Sequence, residues 1–216
     1  MSKNNLEQQA YQMIRQKIIN CDYPPGMLLS ENILLGDIPG SRTPIRSALG
    51  RLEQEKLVTI LPKKGILVVG LSIRDLQFVY DARSRLEPYA ITHYGNTLPE
   101  SFYMDYYNKF SKLTPEDPIT THYSIDDEFH SSLINATDNP YFIHMYEQVH
   151  VQTHRARVLS AQITNVRLND SQREHIGILL SCLKKDWEQA AELMKNHLSL
   201  SQFSVFKELS PSYVTL

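Results

Sequence analysis

Cysteine is scarce in this sequence of 216 residues, in which Cys21 and Cys182 are the only two. Two cysteines cannot build a disulfide framework, so the composition predicts a protein of a reducing compartment, the cytoplasm. The sequence also lacks a run of about 20 apolar residues, the length that a membrane-spanning helix needs. Its N-terminus, MSKNNLEQQAYQ, has no apolar core of the kind that marks a secretory signal. These absences argue against a membrane protein and against a secreted one.

A strong net charge is absent as well, but the charges are unevenly distributed. The whole chain carries −2, whereas residues 1–70 hold nine Lys and Arg against six Asp and Glu, and residues 71–216 hold 13 against 18. A basic first third joined to an acidic remainder predicts two parts with different roles. We therefore expect two domains, residues 1–71 and residues 72–216.

The segment Ser41–Leu57, SRTPIRSALGRLEQEKL, predicts a helix with two unlike faces. Ile45, Leu49 and Leu52 recur at helical spacing and form an apolar face. Another face collects polar and small residues, which are Arg42, Thr43, Arg46, Ser47 and Gly50. Small neighbours let a helix approach a DNA groove, where arginine can donate two hydrogen bonds to guanine O6 and N7. A solvent-exposed face that happens to carry two arginines would have the same pattern, so this helix alone leaves both interpretations open.

The segments around that helix predict a winged helix-turn-helix. Helical patterns cover residues 6–20 and residues 32 to 36 or 38, a short extended piece covers residues 27–29, and Pro39-Gly40 forms the turn into the arginine helix. After that helix, two β-rich runs flank the turn Pro62–Gly65 and predict a hairpin. Lys63 and Lys64 at its tip are suited to contact phosphates or to enter a minor groove. The arginine helix and the basic hairpin together predict binding to double-stranded DNA.

Only helical patterns follow residue 72, which predicts an all-helical bundle domain. The predicted helices span residues 73–93, 100–112, 120–136, 141–160, 170–184 and 186–207. Residues 161–169 fit either a loop or a helix, and residues 209–216 are expected to form a frayed tail. The fold class is therefore mainly α, with an N-terminal winged helix-turn-helix followed by an all-helical bundle domain.

The elements PPGMLLSE, SRTPIRSALGRLEQEKLV and the KKG wing resemble the DNA-binding domain of GntR-family transcription regulators. The resemblance implies base or phosphate contacts from Arg42, Thr43 and Arg46, and it implies that Gly65 lies at the wing tip. We add further DNA-binding candidates, the last three as phosphate contacts: Ser41, Arg51, Lys63 and Lys64. The chain departs from the family at residues 38–40, where Ile-Pro-Gly replaces the usual Leu-Gly-Val. This departure predicts a second helix that is short or bent.

Inward-facing polar side chains distinguish the helical domain. Asp126 and His130 stand at i and i+4 on an apolar helix face, and His175 and His197 also share faces with apolar residues. Three imidazoles and one carboxylate from three helices would suit a divalent metal ion in a bundle core. Hydrogen-bonded core histidines or an Asp126–His130 ion pair would explain the spacing equally well. The pair His150/His154 has the same i, i+4 spacing, which shows how common that pattern is.

The segments DxxFHxxL, EHxxI/L and MxxHL resemble the helical ligand-binding domain, the FCD domain, of the FadR-type branch of GntR regulators. This resemblance implies a divalent metal ion, zinc first, with nickel, manganese and iron as alternatives. Its implied ligands are Asp126, His130, His175 and His197. The segment ARSRLEPYA resembles the first helix of that domain, where Arg83 would face the effector pocket, and Arg157 is a second effector-binding candidate.

These predictions together describe a DNA-binding transcription regulator, a repressor rather than an enzyme. We expect a homodimer on a palindromic operator, whose binding is modulated by a divalent metal ion and a small carboxylate effector. We expect no membrane partner. Two alternatives stay open: a metal-independent sensor of an acyl or other apolar ligand, and a metal-dependent hydrolase, because an open position on such a metal can activate water.

Overall fold

The computed structural model describes residues 3–38, 41–161 and 167–209. Over these ranges the chain is mainly helical with one small sheet, which confirms the predicted fold class. It divides into two compact units, one ending at Ser72 and the other beginning at Ile73. Within the same ranges, no helix combines the length and the apolar character needed to cross a membrane. The predicted turn at Pro39-Gly40 lies outside the described residues.

The first unit is a winged helix-turn-helix. Its elements are α1 (Lys3–Ile19), β1 (Leu28–Leu29), α2 (Glu31–Asp37), α3 (Arg42–Gln54), β2 (Val58–Leu61) and β3 (Gly65–Val68). The short extended piece before α2 proves to be a third strand, because β1 pairs antiparallel with β3 and the sheet order is β1-β3-β2. At seven residues, α2 is as short as the departure from the family pattern predicts, and the Ser30 side chain caps it by accepting a hydrogen bond from the Ile33 backbone N–H.

Burial of one face of α3 fixes the direction of its polar face. The buried residues of α3 are Pro44, Ile45, Ala48, Leu49 and Leu52. They pack on α1, whose Ile14 and Ile18 are also fully buried. Each buried Leu or Ile stabilises the fold by roughly 1.5–3 kcal/mol, so α3 cannot rotate about its axis without a large loss of stability. Arg42 and Arg46 are therefore held on the exposed side of the helix.

Gly65 holds the wing hairpin against β1 and does not form the tip of the turn. It is the first residue of β3 and pairs with Leu61, so the tip consists of residues 62–64. Its φ of +124° is a conformation that other residues rarely adopt, and a Cβ atom there would lie 2.6 Å from the carbonyl oxygen of Leu29. Gly65 therefore lies just after the wing tip and not, as the resemblance had implied, at the tip itself. A glycine is required at this position because strands β1 and β3 approach each other closely.

The second unit is all-helical over its described residues. Its elements are α4 (Ile73–Tyr94), a 3-10 turn (Gly95–Thr97), α5 (Glu100–Lys112), α6 (Ile119–Asn135), α7 (Pro140–Ala161), α8 (Leu168–Leu183) and α9 (Trp187–Leu209). The helix bounds agree with the predictions to within about two residues at most ends. Leu209, predicted as part of a frayed tail, is instead the last residue of α9 and is buried. Residues 162–166, within the ambiguous segment, lie outside the described part of the chain.

The apolar core of this unit brings α6, α8 and α9 together. Phe129 of α6, Leu179 of α8 and Met194 of α9 are fully buried in one cluster. His130 follows Phe129 directly, whereas His175 and His197 lie about one turn from Leu179 and Met194 on the same helix faces. The core that packs these helices therefore also directs three histidines towards a common region.

Candidate metal centre and DNA-binding surface

The structure brings the four predicted metal ligands together. Asp126, His130, His175 and His197 are all buried, and each offers a ligand atom that lies within 4.8 Å of the others. The Nε2 atom of His175 lies 3.0 Å from Nε2 of His130 and 3.3 Å from Oδ1 of Asp126. The four side chains therefore form a single buried cluster, an arrangement that a metal site requires and that hydrogen-bonded core histidines also allow.

The outer nitrogen of each histidine in this cluster faces an oxygen acceptor. The pairs are His130 Nδ1 with Glu87 Oε2 at 2.5 Å, His175 Nδ1 with the Ser171 carbonyl oxygen at 2.7 Å, and His197 Nδ1 with Glu174 Oε2 at 2.7 Å. Because carbonyl and carboxylate oxygens only accept, each Nδ1 carries the ring proton in the neutral imidazole. The Nε2 atom of each ring is then left with a lone pair, and it is the atom available to a ligand.

This arrangement passes a simple test for a bound cation. Two Nε2 lone pairs 3.0 Å apart, those of His130 and His175, repel each other unless a proton or a metal ion lies near both. Burial holds the pKa of His175 well below its ordinary value, and neighbouring His197 lowers it further, so a proton is disfavoured there. Three imidazole nitrogens and a carboxylate oxygen are a donor set that zinc and related divalent ions accept. The residues present therefore fit the metal that the resemblance implies.

Glu87 is a member of this site that the sequence did not single out. It is fully buried, receives a hydrogen bond from Arg83 Nε at 2.6 Å, and contacts His130 with its other oxygen. Burial alone would raise the pKa of this carboxyl group, but Arg83 and His130 outweigh burial and hold the pKa well below its ordinary range. The sequence signals are its place on the inner face of the helix and its i, i+4 spacing from Arg83, which is also typical of a surface ion pair.

Arg157, predicted as an effector-binding residue, lies beside the candidate metal ligands. Its Nη1 and Nη2 atoms donate to Asp126 and Asp127 respectively. The His154 Nδ1 atom lies 2.6 Å and the His150 Nε2 atom 3.0 Å from the two oxygens of Asp127. The second i, i+4 histidine pair therefore belongs to a separate cluster around Asp127, and Arg157 joins that cluster to the candidate metal ligands.

Arg83 and Arg157 both line one cavity of about 50 Å³ in the helical unit. Asp126 and His197 reach the same cavity, which therefore opens onto the candidate metal site. The Nε–H group of Arg157 is buried and has no hydrogen-bond partner among the described residues. A buried donor without a partner is unfavourable, so this atom indicates a place for a ligand acceptor.

Acidification is expected to destabilise the metal-free protein through His197. Burial, with His130 nearby, lowers the pKa of His197 from 6.5 to about 3. Below about pH 6.5 the unfolded chain binds a proton that the folded protein excludes, so the free energy of unfolding falls as the pH falls. Between about pH 7 and pH 5 the loss from this residue is about 2 kcal/mol, measured by urea unfolding in the presence of a chelator.

The control for this expectation is His197→Gln, which should flatten the pH dependence by about one proton. His175 acts in the same direction as His197, because its pKa is also lowered. Burial raises the pKa of Glu174, so protonation of this carboxyl group offsets part of the loss at the acidic end. An equally steep pH dependence in His197→Gln would contradict the assignment.

The candidate DNA-binding surface is the exposed face of α3 together with the wing. Ser41, Arg42, Thr43 and Arg46 are exposed at the start of α3, and Lys63 and Lys64 are exposed at the wing tip. Arg46 is paired with Glu31 of α2 through Nε, at 2.6 Å from Oε1. Both elements belong to the first compact unit, so the arginine face and the wing are parts of one folded body.

Arg51 differs from the other DNA-binding candidates. Its guanidinium group lies 3.8 Å from the ring centre of Tyr11, and its Nη1 atom donates to Gln8 Oε1 at 2.7 Å. Both partners belong to α1, so the structure directs Arg51 towards the helix that supports α3. Its expected role as a phosphate contact is therefore the weakest of the set.

Comparison with known protein families agrees with both halves of the chain. Residues 79–200 match the model of the FCD domain, and residues 6–68 match that of bacterial regulatory proteins of the gntR family. The chain belongs to the GntR family, in the branch that carries an FCD domain. As a GntR-family protein it is a DNA-binding transcription regulator.

Two curated relatives illustrate how far the similarity extends. The HTH-type transcriptional repressor GlaR of Escherichia coli is 24% identical over 198 residues, which are 87% of this chain and 90% of GlaR. An uncharacterized HTH-type transcriptional regulator of Agrobacterium vitis is 40% identical over 78 residues, and this match spans 36% of this chain and 46% of that relative. The chain thus spans less than half of the second relative but nearly all of the first.

Solved structures show the same fold. Escherichia coli McbR/YncC superimposes with a TM-score of 0.81 at 18% identity, over 96% of this chain and 99% of that one. The Zn²⁺-bound FCD domain of TM0439 superimposes with a TM-score of 0.56 at 20% identity, over 65% of this chain and 97% of that domain. At these identities the likeness concerns the fold alone.

Proposed function

We propose that this GntR-family protein is a repressor that binds a palindromic operator as a homodimer and is controlled by a metal-dependent effector. In this proposal residues 1–71 bind DNA, whereas residues 72–216 form the dimer and bind a divalent metal ion and a small carboxylate. The observation that carries the sensing half is the convergence of one nitrogen from each of three histidines and an oxygen of Asp126 in a buried cluster. GlaR, which is named a repressor, supports the direction of control.

The metal ion would be held by Asp126, His130, His175 and His197, with zinc the first choice. Oxygens of Glu87, Glu174 and the Ser171 backbone orient the three imidazoles, as outer partners commonly do around metal sites. When bound, the ion would supply positive charge and open coordination positions for an oxygen ligand. The chain's own contribution is to keep the donors fixed and to keep bulk water away from them.

The charge balance of the site favours an anionic effector. Across the four candidate ligands, their outer partners and the adjoining Asp127 cluster, three arginines face four carboxylates: Arg83, Arg157 and Arg167 against Glu87, Asp126, Asp127 and Glu174. The cluster is therefore net negative by one charge without a divalent ion and net positive by one with it. A carboxylate would then be attracted only once the ion is bound, and the free Nε–H of Arg157 offers it a hydrogen bond.

The size and lining of the cavity argue against the acyl-chain alternative. A volume of about 50 Å³ suits a molecule of a few heavy atoms, and three arginines and an aspartate line it beside apolar side chains such as Phe110 and Leu113. Burying an alkyl chain against these charges would be unfavourable. The hydrolase alternative has no comparable support, because the relatives are named as regulators.

On DNA, α3 would enter the major groove and the wing would contact the backbone. Arg42, Thr43 and Arg46 would read base edges, with Ser41 near the phosphates, and Lys63 and Lys64 would contact phosphates. In a two-fold dimer the two recognition helices would meet half-sites one helical turn apart or a multiple of that distance.

A duplex selected from random DNA by the full-length protein allows this proposal to be tested. Its affinity is measured by fluorescence anisotropy against a panel of small carboxylates and hydroxy acids, with Zn²⁺ and with a chelator. We expect at least one acid to weaken DNA binding by about tenfold or more with Zn²⁺, and none to do so with the chelator. An apolar ligand acting on chelated protein, or hydrolysis of test esters, would contradict the proposal.

A further inference from the structure

Glu31 contacts the candidate base-reading arginine in the DNA-binding unit. It is the first residue of α2, directly after the capping residue Ser30. Its two carboxylate oxygens accept hydrogen bonds from Arg46 of α3, Oε1 from Nε at 2.6 Å and Oε2 from Nη2 at 3.2 Å. The pair therefore joins the two helices of the helix-turn-helix on their exposed side.

The geometry of this pair leaves Arg46 able to bind a base. An arginine side chain has five N–H donors, and Glu31 uses one on Nε and one on Nη2. The outer edge, formed by Nη1 and the second N–H of Nη2, keeps its donors. That edge has the fork that matches O6 and N7 of guanine. Glu31 thus holds one edge of the guanidinium group while the other edge faces outward.

Stability does not account for the pair. The Arg46 side chain is 66% exposed and that of Glu31 34%, and ion pairs exposed to this degree contribute little to folding. Glu31 also neutralises the charge of Arg46. Since attraction to phosphates follows net positive charge and carries no sequence information, this neutralisation weakens non-specific binding.

We infer that Glu31 is the positioning residue for Arg46: it orients the guanidinium group towards one guanine and so raises the discrimination between operator and other DNA. Without Glu31, Arg46 keeps its charge but loses its fixed direction. The arginine then contacts phosphates as readily as base edges, and sequence discrimination at that base pair falls.

The experiment compares full-length wild-type protein with Glu31→Gln, which keeps the size of the side chain and removes its charge. A duplex selected by the wild-type protein is altered one base pair at a time, and the affinity ratio between selected and altered duplexes is measured. We expect Glu31→Gln to lower this ratio about tenfold at one base pair per bound α3, and to make the salt dependence steeper. Arg46→Ala should lose discrimination at the same base pair, and the double variant should lose no more than Arg46→Ala alone.

Glu55→Gln is the matched control, because it removes an equally exposed carboxylate of the same unit that pairs with Arg15 instead of Arg46. It should leave the affinity ratios at the wild-type value. Equal ratios in Glu31→Gln and wild type would overturn the inference, as would an equal loss at every base pair or additive losses in the double variant. A large drop in melting temperature for Glu31→Gln would assign the pair a structural role and overturn it as well.

Discussion

Replacing His175 with alanine is expected to lower the affinity of the protein for Zn²⁺ by at least about 100-fold. The substitution removes one of four donors, and losing a mere outer partner of a metal ligand typically lowers affinity 10- to 100-fold. The Nε2 atom of His175 lies 3.0 Å from that of His130 and 3.3 Å from Oδ1 of Asp126, so the substitution removes a donor that contacts two of the other three. The affinity is measured by competition with a chromophoric chelator, starting from metal-free protein.

The loss of Zn²⁺ affinity on substitution should depend on how close the replaced residue lies to the cluster of four candidate ligands. His144→Ala is the matched control, because His144 lies on α7 with a side chain that is 75% exposed and should leave Zn²⁺ affinity unchanged. Glu87→Gln should fall between the two, about 10- to 100-fold weaker, because its amide orients His130 less firmly than a carboxylate does. Equal affinities of His175→Ala and wild type would remove the metal from the proposed function.

Thermal unfolding gives an independent measure of the same site. An ion that binds only the folded protein, at about 100 times its dissociation constant, adds about 2.7 kcal/mol to the free energy of unfolding. For a protein of this size that gain raises the melting temperature by roughly 5–10 °C. The shift should disappear in His175→Ala and remain in His144→Ala.

The four residues of the candidate metal centre could be predicted to face inward, but part of their surroundings could not be predicted. Helical spacing alone puts Asp126 and His130 on one buried face, because their side chains point the same way one turn apart. The convergence of His175 and His197 on that pair depends on how three helices pack, which the spacing within each helix does not contain. Helical spacing nominated all four residues as facing inward, and the resemblance to the FCD domain favoured a shared metal ion over other roles for them.

Glu87 was missed for the same physical reason. Its partner His130 is 43 positions away in the chain, on another helix, so no local pattern connects them. Its position on the inner face of α4 predicts burial, but the role of a buried glutamate depends on which groups it pairs with. Glu174 had a stronger sequence signal than Glu87, because it directly precedes His175 in the sequence. The strand β1 was recognised only as an extended piece, because its pairing partner β3 lies beyond two helices, the strand β2 and a turn.

The DNA-binding unit was more predictable because its elements are close in sequence. The helix α3 carries its apolar and polar faces within 13 residues, and the wing strands are joined by a short turn. The side-chain contacts between elements of this unit could not be predicted. Neither the Arg46–Glu31 pair nor the contacts of Arg51 with α1 follow from helical periodicity, since both cross between elements.

Replacing the exposed arginines with alanine should impair DNA binding in a different way from replacing the wing lysines. We expect Arg42→Ala and Arg46→Ala to weaken binding to the selected duplex by roughly 10- to 100-fold per recognition helix, because a good bidentate base contact is worth about 1–3 kcal/mol. Each loss should depend on one base pair of the duplex. Fluorescence anisotropy on the selected duplex and its single-base variants measures both properties.

Lys63→Ala and Lys64→Ala, in contrast, should weaken binding to all duplexes by a similar factor. A lysine on phosphate contributes through counterion release, so each substitution should reduce the slope of log affinity against log salt by about 0.9 per lost phosphate contact. Arg51→Ala is the internal comparison, because Arg51 lies against Tyr11 and Gln8 and should change the slope least. If the wing lysines instead altered base preference, or the arginines only the salt slope, then α3 would not be the element that reads the sequence.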